Sequence, residues 1–233
     1  MIIALNNKSN LGKQEFSQYQ EKLNNIEFNS TIIVCPNFLN ISSFHIENMY
    51  LGAQNVSSTE DGAHTGEVSA KQLKDYGVEY CIVGHSERRQ DQKEDNRLIR
   101  EKISRLMEAN ITPILCVGET KEERENQLIE RIIGEELLTA TSFLTEEEKE
   151  RIIIAYEPIW SIGTGLIPTT EEIEKVFFFI KTILPNNKIL YGGSANEENI
   201  DTLKTISSID GFLLGGLSLK PDKLQTFIQK IEK

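Results

Sequence analysis

No run of apolar residues in this chain approaches the roughly 20 needed to cross a bilayer as a helix. The N-terminal stretch Met1-Ile2-Ile3-Ala4-Leu5 meets Asn6 and Asn7 at once, too early for a secretory signal core. Cysteine is scarce: three residues, at 35, 81 and 116, far apart and each inside an apolar run. That spacing suits neither a metal site nor an even-numbered disulfide framework, and it points to a reducing compartment. Basic residues are outnumbered, 25 Lys and Arg against 36 Asp and Glu, for a formal charge of −11. This argues against nucleic acid or an anionic membrane as a partner. A small anion stays open, because a local pocket can be positive on an acidic protein. No linker or low-complexity stretch divides the chain. A cytoplasmic protein with one domain over residues 1–233 is expected.

What the chain does have is alternation. Short apolar runs cover Ile2 to Leu5, Thr31 to Cys35, Met49 to Gln54, Tyr80 to Val83, Pro113 to Val117, Arg151 to Tyr156, Lys188 to Tyr191 and Gly211 to Leu214. They read as strands. Amphipathic stretches between them, Glu94 to Ala109, Lys121 to Leu138, Thr170 to Leu184 and Lys220 to Lys233, read as helices. Thr169 with Glu172 makes a capping box, and Asn196 or Pro221-Asp222 would start later helices. Eight strands in regular alternation with helices mean a parallel sheet covered by helices. At this length a closed (β/α)8 barrel fits better than an open sheet. One segment breaks the rhythm: residues 55–67 form a long polar loop with Gly62 and Gly66. A loop of that length in a compact domain points to function, here to docking.

In such a barrel the chemistry belongs at the C-terminal ends of the strands. The sixth run ends in Glu157-Pro158, followed by Ile159, Trp160, Ser161, Ile162 and Gly163-Thr164-Gly165. Proline stiffens one end of this segment and the glycines free the other. It reads as a greasy lid that closes over Glu157 and expels water. The fourth run ends in Gly84-His85-Ser86-Glu87. Ser86 reads as an N-cap, which places His85 at the positive end of a helix and lowers its pKa by about one unit. The first run ends in Asn6-Asn7-Lys8, which supplies one ammonium. Cys116 reads as a small buried hydrophobe. The last two runs end in glycine pairs, Gly192-Gly193 before Ser194 and Gly215-Gly216, whose amides can cradle phosphate. A carboxylate, a neutral imidazole, an ammonium, a phosphate cradle and a lid suit proton abstraction beside a carbonyl. No metal cluster and no nucleophile–base pair is expected, and no cofactor is called for.

The strings Ala155 to Gly165, Gly84-His85-Ser86-Glu87-Arg88-Arg89, Cys116-Val117-Gly118-Glu119, Tyr191-Gly192-Gly193-Ser194 and Gly215-Gly216 resemble the triosephosphate isomerase family, in the family's order and over nearly the whole chain. The resemblance implies an isomerase acting on a phosphorylated triose. It implies Glu157 as the base, His85 as the electrophile, Lys8 as the charge that meets substrate, and Asn6 as a hydrogen-bond donor beside it. Backbone amides of Gly163, Ser194, Gly215 and Gly216 would hold the phosphate. Glu87 would position Lys8, and Ile162 and Leu213 would press on Glu157 when the lid closes. The loop at 55–67 resembles the family's dimer loop. Thr65 at its tip would reach the site of a second copy, supported by Gln54 and Glu94. The chain departs from the family in three places: Asn7 for a tryptophan, His64 for an aromatic, and Leu166-Ile167-Pro168 after the lid. The alternative is a catalytically silent barrel that binds phosphorylated ligands or serves as a scaffold. Intact Glu157, His85 and Lys8 argue against it.

Overall fold

A computed structural model describes residues 1–164 and 166–232. The eight apolar runs become eight parallel strands. They are β1 Ile2–Asn6, β2 Thr31–Cys35, β3 Tyr50–Ala53, β4 Tyr80–Val83, β5 Thr112–Val117, β6 Ile153–Tyr156, β7 Ile189–Tyr191 and β8 Gly211–Leu214. Each pairs with the next in sequence, and β8 returns to β1 with Ile2 opposite Gly211, so the sheet closes into a barrel. Closure is tight at that point. A Cβ on Gly211 would fall 1.8 Å from the Ile2 carbonyl oxygen, so only glycine fits.

Side chains alternate along each strand, as the pleat requires. Ala4, Ile33, Cys35, Ile82, Cys116 and Leu213 belong to the packed interior of the barrel. Ile3, Leu5, Val34, Val83 and Ile154 face the helices and form the larger outer core. Burial of both strand faces explains why these runs are continuously apolar instead of alternating with polar residues.

The helices begin where side chains can satisfy their free N–H groups. Asn96–Glu108 starts on Asp95, whose carboxylate accepts from the Leu98 N–H at 2.8 Å. Thr169 and Glu172 cap Thr170–Ile183 reciprocally, and Pro221 is the first residue of Pro221–Ile231. Two expectations need correction. The stretch 121–138 is two helices, Lys121–Glu125 and Ile129–Thr141, because Gln127 turns left-handed at φ 57°. Asn196 does not start a helix. Its side chain accepts from the N–H groups of Glu198 and Asn199, which makes a turn, and the helix Ile200–Leu203 follows Asn199. Among the described residues no helix is long and apolar enough to cross a membrane.

Candidate active site

One rim of the barrel gathers the strand ends. Asn6, Lys8, His85, Glu157, Ile162, Gly163, Ser194, Leu213, Gly215 and Gly216 all line one cavity of about 430 Å³. Lys220, just before the last helix, and Lys223, in its first turn, reach the cavity's edge and had not been anticipated. Their only signal in the sequence is their place just after the second glycine pair.

Glu157 follows β6 directly and is 2 % exposed. Its Oε1 lies 3.0 Å from Nε2 of His85, and its Oε2 accepts the backbone N–H of Ser86 at 3.0 Å. Behind it, Gly118 packs against its backbone. Cys116, fully buried, has its thiol pushed well up by burial and by the nearby Glu157 carboxylate.

The short helix Ser86–Asp91 begins differently from expectation. His85, not Ser86, is the N-cap, and its Nδ1 accepts the Glu87 N–H at 3.3 Å. A ring nitrogen that accepts carries no proton. The neutral imidazole therefore holds its proton on Nε2, aimed into the cavity at Glu157. The expected downward pKa shift is also corrected. Burial pushes the ring down, but the charge of Glu157 and its hydrogen bond more than offset this, so the net direction is up. Burial likewise pushes Glu157 up. His85, the Ser86 N–H and Lys8 outweigh it and hold the carboxylate below its ordinary range. The Glu157–His85 contact contributes to both shifts, with Glu87 adding to the rise of His85 and the Ser86 N–H and Lys8 to the fall of Glu157.

Lys8 sits in a left-handed turn at φ 52°, which costs a non-glycine residue of order 1–3 kcal/mol. Its surroundings sustain that strain. Asn6 Oδ1 accepts the Lys8 N–H at 3.1 Å, and Gln54 donates to the carbonyls of Lys8 and Cys35, both at 2.9 Å. Nζ of Lys8 pairs with Glu87 at 2.5 Å. Asn7, where an indole was expected by resemblance, is buried. It donates to the Tyr19 hydroxyl and to Ser218, and Ser218 donates in turn to the Asn6 carbonyl. A polar cluster thus replaces a packing surface.

The lid segment touches the cavity through Ile162 and Gly163, while its other described residues are anchored beside it. Ile159–Ser161 makes one turn of 3-10 helix over buried Pro158. Trp160 donates its indole N–H to Glu119 at 2.9 Å and stacks on Arg124 at 4.6 Å. Glu119 also accepts the Tyr156 hydroxyl at 3.0 Å. Ser194 donates to the Ser161 carbonyl at 2.7 Å, and Thr164 donates to it at 3.0 Å. Gly165 lies outside the described residues. Glu119 and Arg124, which anchor the tryptophan, had been quoted only as parts of a motif or a helix. Nothing near them in sequence marks Trp160 as their partner.

The loop at 55–67 is exposed from Glu60 through Glu67, Thr65 included. Gln54 serves its own chain's Lys8 turn. Glu94 is buried between Arg88 at 2.6 Å and Lys102 at 2.5 Å.

Comparison with known proteins agrees with this architecture. A family model described as Triosephosphate isomerase matches residues 1–231. A triosephosphate isomerase from Alkaliphilus oremlandii is 37% identical over 239 residues, 95% of this chain and 96% of the relative. One from Mycoplasmopsis agalactiae is 41% identical over 206 residues, 86% of this chain and 79% of the relative. One from Clostridium botulinum is 35% identical over 242 residues, 97% and 98% of the two chains. With a closed eightfold barrel, a glutamate and a histidine meeting at its rim, and likeness along nearly its full length, the chain belongs to the triosephosphate isomerase family.

Proposed function

We infer that this protein interconverts dihydroxyacetone phosphate and D-glyceraldehyde 3-phosphate, a step of glycolysis and gluconeogenesis. The observation that carries the reading is the contact of Glu157 with His85 Nε2–H at 3.0 Å, inside a cavity that also holds Lys8 and both glycine-rich turns. A carbonyl oxygen bound at His85 takes the place of the carboxylate as acceptor of the Nε2 proton. Glu157 is then free to turn to the adjacent carbon. It removes a proton from C1 of the ketone, and the electron pair forms the C1–C2 double bond of an enediolate. His85 and Lys8 hold the oxygen charge. The hydroxyl proton on O1 passes to the O2 oxyanion by way of His85 Nε2, and Glu157 returns its proton to C2, which leaves an aldehyde at C1 and a hydroxyl at C2. No redox partner enters, because the hydrogen stays within substrate.

The resting pKa of Glu157 is low because it has partners, and a carboxylate so held is a weak base. Losing those partners and closing the lid, with Ile162 and Leu213 against it, dries the group and raises its basicity. Gly163, Ser194, Gly215 and Gly216 hold the phosphate through main-chain amides, and Glu87 positions Lys8. No cofactor is needed.

Two copies pair, with the loop at 55–67 of one entering the recess beside Lys8 of the other. The exposure of Thr65 and a recess of about 300 Å³ lined by Asn6, Lys8, Gln54, His85 and Glu87 support this. The whole chain acts as one barrel unit in the cytoplasm, a placement supported by three unpaired buried cysteines.

A coupled assay in both directions tests the activity. Turnover that vanishes in Glu157→Gln supports it. Binding of a phosphorylated triose with no turnover in the unmutated protein would instead favour the silent alternative. Sedimentation over a dilution series tests pairing, and a Thr65→Arg variant should shift it toward monomer.

A further inference from the structure

Glu136 belongs to the helix Ile129–Thr141 outside the barrel, yet it is buried and reaches the underside of the site. Its Oε2 accepts the backbone N–H of Gly118 at 2.9 Å. Its Oε1 lies 3.3 Å from Nη1 of Arg89. Arg89 in turn donates to the carbonyl of Gly84 at 2.8 Å and to that of Cys116 at 3.2 Å. Gly84 precedes His85, and Gly118 abuts the backbone of Glu157. One carboxylate and one guanidinium therefore tie together main-chain atoms on both sides of the reacting pair.

An amide at position 136 would meet the Gly118 N–H equally well. Only Arg89 requires a charge there, since a largely enclosed guanidinium, 15 % exposed, is costly to leave without its ion partner. Arg89 also spreads its planar fork over two carbonyls and Asn96, so its orientation is shared with both strand ends. We propose that Glu136 is a positioning residue for the isomerisation, and that its ionised form, through Arg89 and Gly118, holds the ends of β4 and β5 where His85 and Glu157 can act. The proposal rests on the isomerase reading above.

Its charge is poised to change near neutrality. Burial pushes the carboxyl up to about 7, against the pull of Arg89 and the Gly118 N–H, with Glu123 and Glu157 adding to the rise. The charged and titratable groups facing it are Arg89 from Ser86–Asp91, Glu123 from Lys121–Glu125, Cys116 on β5 and Glu157 after β6. A proton on Glu136 removes the partner of Arg89, and the strand ends lose their common tie.

The test is kcat and KM across pH for the unmutated protein and Glu136→Gln. The unmutated enzyme should lose kcat on the acid side with a midpoint near 7, at nearly constant KM. Glu136→Gln should lack that midpoint and run about ten-fold slower on the alkaline plateau, a fraction of what a 1 Å misplacement costs. An unchanged pH profile and plateau in an active Glu136→Gln would overturn the proposal. Carbon-13 NMR of the unmutated protein gives a reading that needs no variant. The Glu136 carboxyl must titrate with the kcat limb, and ionisation well below it would sink the proposal. If the unmutated protein shows no isomerase activity at any pH, the isomerase reading itself fails, which is a different result.

Discussion

Gly118 and Glu157 lie back to back: a Cβ on Gly118 would fall 1.8 Å from the Glu157 carbonyl oxygen. That oxygen is main chain, so no side-chain rotation relieves the clash. Gly118→Ala should therefore push the Glu157 backbone out of place. The expected result is a fall in stability of about 1–3 kcal/mol, the usual cost of overpacking, together with a loss of kcat. Thermal unfolding and the coupled assay check both, and an active, equally stable variant would show that β5 yields there.

Shortening the base tests its reach. Glu157→Asp keeps the charge but withdraws the carboxylate by one methylene. The general-base contribution, about 10²–10⁴-fold, should largely vanish from kcat while substrate affinity stays close to normal. Near-normal turnover would mean that the proton is taken by another group.

His85→Gln tests the donor. Glutamine can still offer an N–H, but without the ring held by the Glu87 amide. The barrier should rise on the order of 3 kcal/mol, the scale of one oxyanion donor. A variant that weakens binding alone, at unchanged kcat, would contradict the polarising role.

The resting Glu157–His85 contact predicts a pH signature in stability. Glu157 is lowered from 4.5, so its contribution is present above that value and is lost as pH falls through the folded one. His85 is raised from 6.5, so its contribution is full below that value and is lost as pH rises through the folded one. The pair should thus stabilise most between 4.5 and 6.5. The unfolding free-energy difference between the unmutated protein and Glu157→Gln should peak in that window. A difference independent of pH would show that the two groups do not interact in solution.

Glu136 predicts the opposite slope. Its carboxyl rises from 4.5 to about 7 on folding, so the folded state binds the proton more tightly. Stability should fall as pH climbs through that interval and level off above it. At pH 8 the charged residue costs on the order of 3 kcal/mol relative to a neutral one. Glu136→Gln should therefore be more stable there, and urea titration would measure it. A less stable variant would mean that losing the partner of Arg89 outweighs the relief.

The barrel was legible because its signal is local. All eight strands lie within two residues of the apolar runs, since burial on both faces writes each strand as an unbroken hydrophobic word. Helix Lys13–Leu23 was missed because its buried face is only Phe16, Tyr19, Gln20 and Leu23 in a polar stretch. The break at Gln127 turns on a backbone angle that no side-chain pattern announces. At the site, positions after strand ends were readable, as Glu157, His85 and the glycine pairs illustrate. Their electrical state was not. The imidazole is shifted up by Glu157, a neighbour supplied by another strand, and the cap moved by one residue. Glu136, Arg89 and the Asn7–Tyr19–Ser218 cluster were invisible because their partners come from distant parts of the sequence.

Barrel closure has a consequence for how this protein is made. Lys8 hangs from the first strand, and its Cε lies 3.1 Å from where a Cβ on Gly215 would stand, just past the last strand. The ligand pocket therefore has no partial form. A nascent chain emerging from the ribosome can carry its base, imidazole and ammonium and still have nothing to grip, until the final strand docks beside the first. Stalled or truncated products should be silent, and the first appearance of turnover during synthesis would time the completion of the ring.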